Sequence, residues 1–334
     1  MACNSFTPRE VCKHHCGRQI QDGRIWDPDG IELHRSRGLN MASILITGTS
    51  RGIGLATALT LGRHGHTVFA TMRDPARSPE LAEIVAKERL PITIARMDVD
   101  SDESVQDTIA SIRKSHGSID VLVNNAGVEG SGSLEEYPLS EFRRIMETNY
   151  FGAIRCIQAV LPDMRNRRSG CIINLSSVGG RVASAPMTPY SASKFALEAL
   201  SEGLAQEAAM FNIRVAIVEP GVINTDMART FSRRTTSSPY PQTERLAALF
   251  ASSLDNPTPP QVVAEKIREI IESGTWKLRH PAGPDAEGFL QWRASMTDEQ
   301  WVQWNASNDD TWYENVQRTF GVDAREYAAR KRQA

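Results

Sequence analysis

The sequence predicts an α/β fold: a doubly wound parallel sheet in a single domain, with an N-terminal extension and a helical C-terminal tail. Three observations carry that expectation. Short apolar runs alternate with helix-period segments from Ser43 onward, a glycine-rich turn joins the first run to the first helix, and later runs end in small polar residues. Alternation of this kind implies parallel strands joined by right-handed helical crossovers, with helices covering both faces of the sheet. Ligands then belong at the carboxyl ends of the strands.

Strands are expected at 43–47, 67–71, 92–97, 119–123, 171–175 and 213–219, and helices at 53–63, 103–115 and 140–164. After Gly221 the pattern loosens into a Ser/Thr/Pro-rich stretch, 222–260, which still holds Met227, Phe231, Leu246, Leu249 and Phe250. Polar chain studded with apolar residues suits a lid over a site. A helix at 261–273 and a short strand at 277–279 follow, completing a domain over 41–285. The tail, 286–334, carries capping boxes at Thr297/Gln300 and Ser307/Asp310 and the tryptophans Trp292, Trp301, Trp304 and Trp312.

Composition narrows the partners. At 334 residues and 40% hydrophobic content the chain can bury a full core. Its net charge of −2 and pI near 6.4 give no basic field of the kind that draws proteins onto nucleic acid or anionic membrane. No uncharged apolar run approaches the ~18 residues that a membrane span requires. The start, Met1-Ala2-Cys3-Asn4-Ser5, lacks a signal-peptide stretch, so a cytoplasmic protein is expected.

Residues 1–40 show neither structural period and read as a disordered extension. Cys12-Lys13-His14-His15-Cys16 lacks a second ligand pair at zinc-finger spacing, so no metal is expected. With three of five cysteines crowded in this extension there is no disulfide framework, which fits a reducing compartment.

Between the first strand and helix stand Gly48, Thr49, Ser50, Arg51, Gly52, Ile53 and Gly54. Glycines here permit a tight turn and close backbone approach to pyrophosphate, while the helix N-terminus presents unpaired N–H groups to an anion. A carboxylate about twenty residues on, Asp74, would suggest ribose recognition and NAD. It precedes a proline and therefore begins a turn, whereas the strand ends at Met72, followed by the cation Arg73. Arg73 with Arg51 can grip a 2′-phosphate, so NADP(H) is expected over NAD(H).

Tyr190 and Lys194 are four apart at the start of a helical segment, with Thr188 expected as its N-cap and Pro189 in its first turn, and so share a face. A tyrosine titrates near 10, and an adjacent ammonium would favour the phenolate and make Tyr190 a usable acid/base. In isolation this is an ordinary surface pair. Two strand ends change that: Asn174-Leu175-Ser176-Ser177 offers a hydroxyl to a reacting oxygen, and Asn124-Asn125-Ala126-Gly127 shapes a pocket at the same edge.

Taken in order, the Thr47 to Gly54 turn, Asp98-Val99, Asn124 to Gly127, Asn149, Ser177, Tyr190 to Lys194 and Pro220-Gly221 resemble the short-chain dehydrogenase/reductase family over about residues 42–285. That resemblance implies a Rossmann-type fold and a nicotinamide cofactor. It implies Ser177 rather than Ser176 as the catalytic serine, and Asn149 as holder of a water in a proton relay beside Tyr190 and Lys194. It also implies Asp98 facing the adenine, Asn125 on the cofactor's ribose side and Thr225 at the nicotinamide carboxamide, with Val99, Ala126, Gly127, Pro220, Gly221 and Val222 among the cofactor-binding residues. Residues 68–74 and 177–180 are further similar to hydroxysteroid and retinol dehydrogenases. Family members form homodimers or homotetramers, so a homo-oligomer is implied.

The expected activity is interconversion of a carbonyl and a secondary alcohol with NADP(H), on a small-molecule substrate. Val178, Met187, Met227 and the lid's apolar residues suggest that it is bulky and hydrophobic. Two alternatives stay open: a nucleotide-binding redox sensor, and a dehydratase or epimerase with no net NADPH turnover.

Overall fold

The computed structural model describes residues 41–233 and 238–332, preceded by two short strands, β1 (Ile20–Gln21) and β2 (Arg24–Ile25). These two pair antiparallel, Ile20 opposite Ile25, which corrects the expectation of a wholly irregular extension. The Cys12 to Cys16 cluster lies outside the described residues.

Seven strands form the main sheet: β3 (Ser43–Thr47), β4 (Thr67–Met72), β5 (Ile92–Arg96), β6 (Val121–Asn124), β7 (Gly170–Leu175), β8 (Ile213–Pro220) and β9 (Arg279–Ala282). All pair in parallel, in the order β5-β4-β3-β6-β7-β8-β9. The chain runs outward from β3 to β5, then returns to lay β6 on the other side of β3. The order reverses there, and the carboxyl ends of β3 and β6 flank the switch point.

Thirteen helices are described: α1 (Gly52–Arg63), α2 (Pro79–Glu88), α3 (Asp102–His116), α4 (Leu139–Met146), α5 (Gly152–Arg167), α6 (Thr188–Ala209), α7 (Asp226–Arg233), α8 (Gln242–Ser253), α9 (Gln261–Ser273), α10 (Ala286–Ala294), α11 (Asp298–Ala306), α12 (Asp309–Phe320) and α13 (Ala324–Arg332). The period of two in β3 divides the core. Ile44 and Ile46 join α1, α2 and α9 on one face, while Leu45 meets α3, α5 and α6 on the other.

Burial on both faces explains why the strands read as near-continuous apolar runs. The helix expected over 140–164 is instead α4, a π-helical turn (Glu147–Phe151) and α5. The period alone cannot register that extra residue per turn. Gly152 starts α5 where a Cβ would meet Val99 at 2.9 Å, so the helix lies directly on the end of the β5 segment.

Two helices, α7 and α8, occupy the stretch expected as a loose lid. Phe231, Ala247 and Ala248 are buried there, so tertiary contact supplies what the interrupted periodicity concealed. The Thr297/Gln300 capping box is present at α11. The second is displaced: Asn308 caps α12 by accepting from Thr311 N–H, because Ser307 still belongs to the end of α11, its hydroxyl donating to Trp304 O.

A buried polar chain ties the sheet to α6. Asn124 on β6 donates to Asn174 Oδ1 on β7 at 2.8 Å, and Asn174 Nδ2 donates to Ser201 Oγ on α6 at 2.8 Å. Cutting it would orphan the buried Asn124 amide and leave Ser201 Oγ only its bond to Leu197 O, so Asn174→Ala is expected to destabilise the protein by about 2–4 kcal/mol in chemical denaturation. A loss under about 0.5 kcal/mol would show that the chain adds nothing.

Candidate active site

The glycine turn leaves β3 and enters α1 as expected. Gly48 and Gly52 have φ of +72° and +57°, which an L side chain rarely adopts. A Cβ on Gly54 would strike Gly48 O and Asn125 Nδ2. Arg51 sits at the N-cap without a side-chain capping bond, and no acidic residue occupies the first turn of α1. Uncapped N–H groups, a dipole end and no competing carboxylate fit the diphosphate of a dinucleotide.

Asn125 belongs to the scaffold of this turn. Its Nδ2 donates to Thr47 O and Gly48 O at 2.8 and 2.9 Å, while the N–H groups of Asn125 and Ala126 donate to Thr47 Oγ1. The resemblance implies a place for Asn125 on the cofactor's ribose side, and its amide nitrogen also holds the turn against β6.

Asp74 accepts from Ala76 N–H and caps the turn Pro75–Arg77. Arg73 follows β4 directly, is exposed, and lies near enough to Asp100 to favour that carboxylate's charged form. Arg51 reaches over the turn to Asp226 at 3.3 Å, both side chains more than half exposed. An exposed pair of this kind is weak and readily exchanged for another anion. Asp98 accepts from Asp100 N–H, and Val99 is buried against α5, forming the floor of the same edge.

Beyond β8, Gly221 N–H donates to Ala282 O and Val222 N–H to Asp285 Oδ2, which holds the Pro220-Gly221-Val222 segment to the start of the tail. A Cβ on Gly221 would collide with the Asp285 carboxylate. Sequence reasoning missed Asp285, since no local pattern links residues this far apart. Thr225 accepts from Ala228 N–H at the start of α7, and its methyl faces Gly52.

Ser177 follows β7. Its Oγ accepts from Gly179 N–H at 3.0 Å and lies beside the Tyr190 ring. Ser176 is instead buried next to Gly180. Helix α6 begins at Thr188, with Met187 rather than Thr188 at the N-cap and Pro189 in its first turn. Tyr190, Lys194, Glu198 and Ser201 line its buried face.

The Lys194 ammonium donates to Leu175 O at 2.7 Å and stands 5.7 Å from the Tyr190 ring centroid. Asn149, in the π-helical turn, accepts from Val128 N–H and donates to Val128 O and Ser193 Oγ; Ser193 in turn donates to Tyr190 O. A Cβ on Gly127 would lie 3.3 Å from Asn149 Oδ1 and 3.7 Å from Lys194 Nζ. Ser177, Tyr190, Lys194 and Asn149 therefore converge where β6 and β7 end.

The expected lowering of the phenol does not hold in this environment. Burial pushes Tyr190 up to about 12, opposed only by hydrogen bonding to Ser177, and burial pulls Lys194 down to about 8, opposed by Glu198. Desolvation outweighs the pairing that helix spacing suggested.

Among the described residues no group of His, Cys, Asp and Glu could hold a metal ion, and no helix is long and apolar enough to cross a membrane.

Comparison with known proteins agrees with the geometry. The short chain dehydrogenase family matches residues 42–236. Retinol dehydrogenase 8 of Bos taurus is 38% identical over 252 residues, covering 71% of this chain and 80% of the relative. A short-chain dehydrogenase from Streptomyces avermitilis superimposes with a TM-score of 0.68 at 33% identity, over 84% of this chain and 98% of that one. ElxO, solved with NADP bound, gives 0.63 at 27% identity over 74% and 98%.

Proposed function

The chain belongs to the short-chain dehydrogenase family, and from that premise we propose that it interconverts a carbonyl and a secondary alcohol with NADP(H), on a bulky hydrophobic substrate. The observation that carries the proposal is the meeting of the Ser177 hydroxyl, the Tyr190 phenol and the Lys194 ammonium in one buried corner at the ends of β6 and β7.

When bound, the nicotinamide supplies or accepts the hydride. The chain does the rest. Ser177 donates to the substrate oxygen and polarises it, and Tyr190 delivers its hydroxyl proton to that oxygen as negative charge develops. Lys194, fixed by Leu175 O, holds positive charge near the phenolate left behind. Asn149 positions the relay: with its side chain committed to Val128 and Ser193, it ties the π-helical turn to the helix that carries Tyr190. A phenol kept protonated by burial can give its proton in the reductive direction, and the same steps reversed carry oxidation.

Cofactor choice rests on Arg73 at the strand end, on Arg51, and on the diversion of Asp74 into a cap. Two cations and no ribose-facing carboxylate favour a 2′-phosphate. Substrate class rests on Phe231, whose ring lies 6.4 Å from that of Tyr190, and on Phe250, 5.0 Å behind Phe231. Val178, Met187 and Met227, the residues expected to line the pocket, are half-buried.

Following NADPH absorbance with bulky apolar and small polar ketones tests the reading directly; binding without net consumption would refute it. Tyr190→Phe is expected to lower kcat by about 10²–10⁴ while NADPH still binds, whereas undiminished turnover would remove Tyr190 from the chemistry. For reduction, kcat/KM should be flat at neutral pH and decline as pH rises through about 8, where Lys194 loses its charge. A profile that instead rises through this range would contradict the assignment. In Met72→Asp/Arg73→Leu, coenzyme preference should move from NADPH towards NADH by roughly tenfold or more. A wild-type preference for NADH would overturn the cofactor reading.

A further inference from the structure

The C-terminal helices α10–α13 touch three separate pieces of the site. At their start, Asp285 holds the Val222 backbone. On α11, Trp301 Nε1 donates at 3.0 Å to Ala183 O, in the loop between Ser177 and α6. At the head of α12, Asp309 receives Arg245 of the lid helix α8 at 2.8 Å.

Arg245 is the densest of these joints. It is 3% exposed, donates also to Asn305 O at 3.2 Å and Ser307 O at 2.8 Å, and lies over Trp312 at 5.5 Å from the ring centroid. A guanidinium shared among a carboxylate, two carbonyls and an indole fixes orientation as well as distance. The neighbouring rings interlock: Trp292 meets Trp301, Trp304 and Phe320 edge-on at 5.0–5.4 Å between centroids. The void among them is about 40 Å³, room for a few waters and not for an organic ligand. The indole cluster is therefore a packed joint.

What it joins are the two sides of the substrate cleft. Helix α8 carries Phe250, which backs Phe231 and through it Tyr190. The loop 181–187, held through Ala183, carries Met187 into the start of the Tyr190 helix. We infer that the C-terminal tail is a brace that sets the spacing between the lid helix and the loop after Ser177, making Arg245, Asp309 and Trp301 positioning residues for substrate size. This rests on the proposed carbonyl chemistry for its kinetic consequence and on geometry alone for its mechanical one.

The test compares full-length wild type with Asp309→Asn and Trp301→Phe, using NADPH with a bulky apolar ketone and a small aliphatic ketone, alongside amide hydrogen exchange. The expected result is a loss of roughly tenfold or more in kcat/KM for the bulky ketone, carried by KM, against less than about twofold for the small one. Asp309→Glu, which keeps the charge, should restore most of the loss. Exchange should quicken in both α8 and 181–187 in each variant. Equal losses on both ketones, or faster exchange confined to the tail, would overturn the brace. If wild type reduced neither ketone, the carbonyl reading would fail while the exchange comparison would still decide the brace.

Discussion

The site depends on how firmly α6 is seated against β7. Two buried contacts do this: the Asn124–Asn174–Ser201 chain, and the Lys194 ammonium resting on the last carbonyl of β7. Both lie in an interior where an unpaired polar group is costly, so each partner specifies the position of the other. Because Tyr190 and Lys194 share that helix face and Ser177 leaves that strand, one seating event brings the three functional groups together. The same geometry explains the electrostatics. A helix buried deeply enough to be fixed is also buried deeply enough to raise a phenol and lower an ammonium.

Most of the sheet was legible in the sequence. Strands buried on both faces read as apolar runs, and β3 and α9 fall at the expected residues. The glycine turn and the four-residue spacing of Tyr190 and Lys194 are local signals, and the structure places both where the chain order implied. What escaped was non-local. The π-helical turn at Asn149 adds a residue that a 3.6-residue period cannot reveal. Helices α7 and α8 lie inside the Ser/Thr/Pro-rich stretch but contain no proline themselves, and they pack towards Tyr190 through Phe231 and against Trp312 through Arg245. Burial of the phenol is likewise a property of the assembled site, so spacing alone gave the direction of its shift the wrong sign.

Charge around the site is arranged in layers. Glu198 and Glu219, 4% and 1% exposed, share Arg279, and Arg181 supports Glu219 from a more exposed position. Burial raises both carboxyls and the guanidinium groups oppose it. Glu198 lies one turn beyond Lys194 and favours its charged form. The ammonium is thus stabilised through a network of two carboxylates and two guanidinium groups.

The last strand carries a consequence for the sheet as a whole. In β9 the carbonyls of Leu278 and Ala282 turn inward to accept from β8, so the alternate residue Pro281 faces the outer edge. Proline has no N–H to offer there. An incoming strand would find the ladder interrupted at its middle, which hinders pairing at this edge of the sheet, the other edge being β5.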